Sequence, residues 1–206
     1  MRKNLGTTEN RYEKGRNLKM DDVTTHKINK NRITTQDITV MALLTALLCI
    51  SSYIIIPLPF TAVSLTAQTL VVNMIGLLMR PKKAGTIVGV WIVLGAVGLP
   101  VFSGGIGGLG KLLGPTGGYI IGAVVVAVLI SLLKGKNGNI IRYAVVAIVV
   151  GMPVLYLLGM SWMMISAGMD WRAALVSSVL PFIPLDIAKC IAAAIVVKPL
   201  ERVVKA

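Results

Sequence analysis

The stretch Gly95 to Gly122, GAVGLPVFSGGIGGLGKLLGPTGGYIIG, decides how the rest of this 206-residue chain is read. One half is glycine-rich loop and the other is sequence apolar enough for a membrane, with Pro100 and Pro115 fixing φ where helices would otherwise continue. Glycine permits left-handed turns and close approach of another surface, so such a run between apolar helices predicts a backbone-lined pocket, with the remaining chain as its scaffold. The density of glycine from Gly104 to Gly118 argues against a plain connector, since ordinary connections run to about 2–8 residues.

Outward from this stretch the chain is apolar. It is 55% hydrophobic with a mean hydropathy of +0.81, and only 14% of its residues are charged, against roughly 25% in a soluble domain. These values identify an all-α integral membrane protein. Apolar segments at Ile38–Ile56, Ala62–Met79, Ala84–Leu99, Tyr119–Leu133, Ile140–Ile165 and Ala173–Val197 lie near the roughly 17–25 residues that cross a bilayer. The third and fourth reach it only with loop residues added. Six transmembrane helices are expected, with the Gly-rich loop between helices 3 and 4. Pro57 and Pro59 end the first helix, and Pro81 interrupts after Arg80.

A net charge of +13 in a soluble protein would prompt a nucleic-acid reading. Here the basic residues sit at helix ends. If the N-terminal tail lies inside, so do Arg80, Lys82 and Lys83, then Lys134, Lys136 and Arg142, and finally Lys198, Arg202 and Lys205, while the opposite loops hold only Lys111 and Arg172. That is a positive-inside pattern, so both termini are expected to be cytoplasmic and no nucleic-acid partner is implied. The glycine-rich loop then faces outward, where a solute from outside would be captured. Residues 1–36 read as a disordered basic cytoplasmic tail, solvated or in contact with anionic headgroups, and 37–206 as the membrane domain. With no apolar run before Ile38, the tail is not expected to be a secretory signal. His26, the only histidine, lies in it, which removes His-based catalysis and metal binding from the membrane domain.

Between Ile38 and Lys198 the acids are Asp170 and Asp186. Asp186 falls inside the sixth apolar segment, where an unpaired charge costs at least about 2.5–3.5 kcal/mol. Lys189, three residues on, shares its helix face and can offset part of that cost. The pair reads either as a ligand-binding acid and base or as an ion pair that locks the bundle. Pro181 and Pro184 favour the first, because a proline-broken helix frees carbonyls that line cavities.

GLPVFSGG at 98–105, LLGPTGGYIIG at 112–122 and PFIPLDIAK at 181–189, with LTAQTL at 65–70, resemble the signature segments of the BioY family, biotin-specific S components of energy-coupling factor (ECF) transporters. The likeness runs from about Thr35 to the C-terminus. It implies a six-helix subunit of the bacterial plasma membrane that binds biotin on its outer side. A transmembrane coupling subunit (EcfT type) and a pair of ATPases (EcfA type) would supply power, with ATP bound by those partners and no cofactor on this chain. The family's acid and base become Asp186 and Lys189, its glutamine Gln68, and its loop Gly114 to Gly118 with Tyr119. Ile106, at the centre of GGIGG, departs from the small residue usual there and puts close approach of a ligand at that point in question.

Biotin offers two ureido N–H donors, a carbonyl acceptor, an apolar bicycle and a carboxylate. Asp186 suits the donors, and Lys189 suits the ureido carbonyl or the carboxylate. Gln68 can donate or accept. Trp91, Phe102 and Tyr119 are candidate walls for the bicycle, or else lipid-facing and packing residues. Gly117 completes the substrate-binding set. In helix one, Ala42 and Ala46 form a small-xxx-small face. The resemblance implies that it docks on the coupling subunit; packing within the bundle is the alternative. Gly85 with Gly89 and Gly118 with Gly122 have the same spacing, with internal packing expected.

GIGGLGK at 105–111 has the spacing of a P-loop, but Leu112 stands where Ser or Thr must reach Mg²⁺, and no strand precedes it. Cys49 and Cys190 read as buried small hydrophobes. Two acids do not make the cluster a membrane enzyme needs, so no catalytic residues are expected. Two other readings stay open: the same fold serving another vitamin, and a self-sufficient proton-coupled carrier using Asp186.

Overall fold

The computed structural model describes residues 34–56, 64–135 and 138–204, with side chains as far as Glu201. The basic tail with His26, the prolines Pro57 and Pro59, and Lys136 and Lys205 lie outside the described residues. The described chain is predominantly helical. Helix α1 (Thr35–Ile50) runs into a 3₁₀ turn at Ser51–Tyr53, and a two-residue antiparallel pair, β1 (Ile55–Ile56) with β2 (Leu65–Thr66), follows. Then come α2 (Gln68–Leu78), α3 (Pro81–Ala96), α4 (Leu109–Leu113), α5 (Gly117–Leu133), α6 (Ile140–Ala167), α7 (Trp171–Ser178) and α8 (Ile183–Val204).

Helix α1 begins at a reciprocal cap. The Asp37 amide donates to Thr34 Oγ1 and the Thr34 amide to Asp37 Oδ2, satisfying two donors that a helix start leaves unpaired. That cap belongs to the N-terminal unit, which ends at Thr39; the second unit, Val40–Ala206, holds the rest of α1, every other element and both cavities described below.

Each of the six apolar segments contains helix, but their lengths depart from the expectation. By length and composition α1 with its 3₁₀ turn and α6 can each cross a bilayer, and α7 with α8 makes a third if the bent pair counts as one span. Among the described residues of the segment expected over Ala62–Met79, helix begins at Gln68, because Leu65 and Thr66 are extended and paired with Ile56 and Ile55. The sixth segment bends by 51° between α7 and α8. Pro181 lies in the break, where it has no N–H to continue a helix, and Pro184 sits in the first turn of α8, where none is needed. Residues Ala147–Gly151 of α6 form a π turn just ahead of Pro153, which cannot donate to the carbonyl of Val149.

Helix α2 is buried along nearly its whole circumference, as a helix apolar on all sides must be. It packs on α5 and α8, and α5 also packs on α3 and α6. Glycine sets the distances. A Cβ on Gly76 would meet the Ala127 carbonyl and Ile130, and one on Gly118 would meet Trp162 and the Leu158 carbonyl of α6. Gly122 lies against Leu155 and Leu158, so Gly118 and Gly122 pack internally as expected, whereas Gly89 meets nothing among the described residues and the Gly85–Gly89 pair is not a packing face along its length.

The C-terminal end of α2, which its own helix cannot satisfy, is capped from α5 and the residue after it. Lys134 Nζ donates to the carbonyls of Leu77 at 2.6 Å and Met79 at 2.7 Å, and Ser131 Oγ donates to Met79 at 2.5 Å. Lys134→Met is expected to cost about 2 kcal/mol, the scale of charged hydrogen bonds, and to lower the unfolding midpoint in detergent. An unchanged midpoint would mean that water replaces the ammonium at these carbonyls.

Candidate functional site

The glycine-rich loop is folded by its own backbone. Phe102 and Ile106 exchange hydrogen bonds (Phe102 N to Ile106 O 2.9 Å, Ile106 N to Phe102 O 3.3 Å) across a turn in which Gly104 and Gly105 take φ of 81° and 67°, a left-handed pair open to glycine at little cost. The Gly108 amide donates 2.7 Å to the Gly95 carbonyl and ties the loop to the end of α3, and Gly107 lies against the Gly98 and Leu99 carbonyls. The close approach anticipated for these glycines is therefore made by the loop itself. None of the loop's glycines is among the described residues that line the two cavities described below; from the loop, Ser103, Lys111 and Thr116 line the larger of them. Ile106 is 48% exposed and also lies outside both walls, so it does not narrow either cavity.

Two cavities adjoin among α2, α5, α6 and the segments that flank them, sharing Ser64, Thr66, Thr69, Tyr119 and Leu155. The larger has a volume of about 100 Å³ and is walled by Gln68, Asn73 and Trp91 beside the three loop side chains. The smaller, about 40 Å³, ends on Tyr156, Ser178, Phe182, Asp186 and Lys189. An apolar cavity with a few convergent polar groups is the usual form of a small-molecule site.

The side chains singled out from sequence divide between these walls and the layer behind them. Gln68, at the first turn of α2, donates from Nε2 to the Val101 carbonyl at 3.0 Å, and Trp91 Nε1 donates to the same oxygen at 2.9 Å. One loop carbonyl thereby fixes two wall residues from different helices. Phe102 stands behind Trp91, edge-on at 5.2 Å between ring centroids, fully buried with its ring against Gly95; it supports the wall without lining it. Gly117 likewise lies outside the walls, against the Leu112 carbonyl and the Trp162 indole. Tyr119 faces both cavities and donates 2.9 Å to the Ser178 carbonyl at the end of α7, a group that the break before α8 leaves without a helical donor.

Asp186 and Lys189 lie in the first two turns of α8. Lys189 Nζ is 2.9 Å from Asp186 Oδ1 and donates to Thr69 Oγ1 at 3.2 Å, while Tyr156 OH donates to Asp186 Oδ2 at 2.7 Å. The carboxylate is thus held from two sides, as a charge taken out of water requires. Tyr156 and Thr69 were missed in the sequence, as was Asn73, whose Nδ2 donates to Cys190 Sγ at 3.3 Å. Asn73 within VVNMIG carried a legible signal, a polar side chain inside an apolar helix. Tyr156 carried none, because a tyrosine among leucines is equally an interfacial or packing residue.

Outside this region, Ala42 and Ala46 are exposed on α1, on the side away from the buried Leu44 and Leu48. Cys49 is partly buried and Cys190 fully, and both are free thiols.

The chain as a whole has counterparts among known proteins. A family model described as the BioY family matches residues 24–206. The probable biotin transporter BioY of Pyrococcus horikoshii is 34% identical over 166 residues, covering 81% of this chain and 96% of the relative. The biotin transporter BioY of Rhizobium etli is 32% identical over 172 residues, covering 79% and 91%. A solved structure, the crystal structure at 2.1 Å of the S-component for biotin from an ECF-type ABC transporter, aligns with a TM-score of 0.75 at 30% identity, over 80% of this chain and 90% of that one. The family model spans most of the chain, the relatives are at least 30% identical over most of its length, and the helical fold aligns with a solved S-component: the chain belongs to the BioY family.

Proposed function

We propose that this protein is the biotin-capturing S component of an ECF-type ABC transporter, a transport subunit and not an enzyme. The observation that carries this reading is the polar end of the smaller cavity. Asp186 presents a carboxylate acceptor and Lys189 an ammonium donor 2.9 Å apart in the wall of the smaller cavity, which is the complement of a ureido group with its N–H donors and carbonyl. The relatives named as biotin transporters and the solved biotin S-component support the same ligand. On this reading Gln68, Trp91 and Tyr119 bound the bicycle, with Phe102 and Gly117 holding wall and loop in place. Six spans in a bacterial plasma membrane, cytoplasmic termini and an outward-facing loop complete the topology. The exposed Ala42 and Ala46 dock a transmembrane coupling subunit, whose partner ATPases bind the ATP.

The test is equilibrium binding of biotin to the purified chain in detergent. Saturable one-to-one binding is expected, with Ala42→Leu and Ala46→Leu leaving it intact while lowering co-purification with the coupling subunit. A well-folded wild type that ignores biotin would sink the assignment and turn the search to other vitamins. Accumulation in vesicles without any ATPase and driven by a proton gradient would instead establish a carrier.

A further inference from the structure

Asp186 is held from a second helix by a hydroxyl to which the binding scheme gives no role. Its ion pair with Lys189 lies within α8, at a spacing of three residues, and engages one oxygen, Oδ1. An ammonium is a compact charge on a flexible stem, so that pair by itself sets no direction for the carboxylate. The other oxygen is taken from α6, where Tyr156 OH donates to Asp186 Oδ2 at 2.7 Å, the length of a charge-assisted hydrogen bond. Tyr156 lines the smaller cavity beside Asp186 and Lys189. Its ring is wall, and its one proton is committed to the carboxylate, so it does not donate to a ligand while that bond stands. Tyr119, in the same wall, likewise commits its proton to the Ser178 carbonyl. Partners on both oxygens, one from each helix, fix the plane of the carboxylate, and the lone pairs they leave unused are those a ligand can reach. Without the hydroxyl, Asp186 is free to turn both oxygens onto Lys189 and close the pair.

We propose that Tyr156 is a positioning residue: it holds the Asp186 carboxylate open to the cavity, so that the acid accepts ligand N–H groups instead of closing on Lys189. The inference deepens the biotin reading and rests on it. Preorganisation of this kind raises affinity without adding a contact to the ligand.

The experiment is a double-mutant cycle of Tyr156→Phe and Asp186→Asn, read by equilibrium binding of biotin in detergent with unfolding midpoints alongside. Phenylalanine keeps the ring in the wall and removes the hydroxyl, and Lys189 still partners Asp186, so a folded variant is expected. Tyr156→Phe should weaken biotin by about tenfold in the wild-type background, the scale of one charged hydrogen bond, and by about threefold or less in the Asp186→Asn background. A merely structural hydroxyl would give equal losses in both backgrounds, which overturns the positioning role, as does unchanged affinity in Tyr156→Phe. Either result leaves the biotin reading standing as long as wild type binds biotin. Failure of wild type to bind biotin overturns that reading, and the role of Tyr156 falls with it.

Discussion

Lys189→Met is expected to damage this protein more than the double change Asp186→Asn with Lys189→Met. Removing the ammonium alone leaves the buried Asp186 carboxylate with Tyr156 OH as its one side-chain donor among the described residues, and breaking a buried pair from one side costs about 3–5 kcal/mol. Both side chains are largely buried, at 17% and 10% exposure for Lys189 and Asp186, so screening by water removes little of that cost. Neutralising both partners removes the orphaned charge and restores most of the stability. Biotin binding follows a different order. Asp186→Asn, alone or in the double variant, weakens it by about 2 kcal/mol or more, since a charged acceptor is lost in each case. Unfolding midpoints and binding isotherms on the three variants separate the roles. A double variant as unstable as Lys189→Met, with undiminished biotin affinity, would show a lock for the bundle and not a ligand site.

The second large effect is expected at Gly159, which no sequence motif marks. The ring of Tyr119 lies directly over it, and a Cβ there would fall inside the contact distance of three ring atoms. Gly159→Val therefore forces Tyr119 to turn. Overpacking of this kind costs about 1–3 kcal/mol, and here it also breaks the bond from Tyr119 OH to the Ser178 carbonyl and moves a wall shared by both cavities. The predicted result is a loss of biotin affinity of tenfold or more in a protein that still purifies as a monodisperse species. Tyr119→Ala added to Gly159→Val should regain stability without regaining affinity, because the steric conflict disappears and the wall remains missing. If Gly159→Val bound biotin as wild type does, the position of Tyr119 would be irrelevant to the site.

These positions show where reading the chain was sufficient. The helical membrane class was legible because apolar runs near the length of a bilayer and basic residues confined to their ends are one-dimensional properties. Asp186 and Lys189 were legible because an acid inside an apolar segment must be compensated nearby, and a spacing of three residues on a helix supplies the partner. The segments shared with the BioY family were legible as strings. Each of these depends on local sequence, and local sequence is sufficient to state them.

Tertiary structure decided what depends on separations the string does not contain. The glycine-rich stretch promised a backbone-lined pocket, yet Gly104, Gly105, Gly107 and Gly108 serve the turns and backbone contacts of the loop itself, and what reaches the cavities is Ser103, Lys111 and Thr116. Phe102 stands behind the wall against Trp91, and Gly117 is turned to the Leu112 carbonyl and the Trp162 indole. Tyr156 meets Asp186 across 30 residues, and Thr69 meets Lys189 across 120. The bend between α7 and α8 frees the Ser178 carbonyl for Tyr119. Composition and periodicity determine that helices form and which faces are apolar; which side chains then share a cavity follows from how closely glycine lets α2, α5 and α6 approach, a contact made between segments distant in the chain.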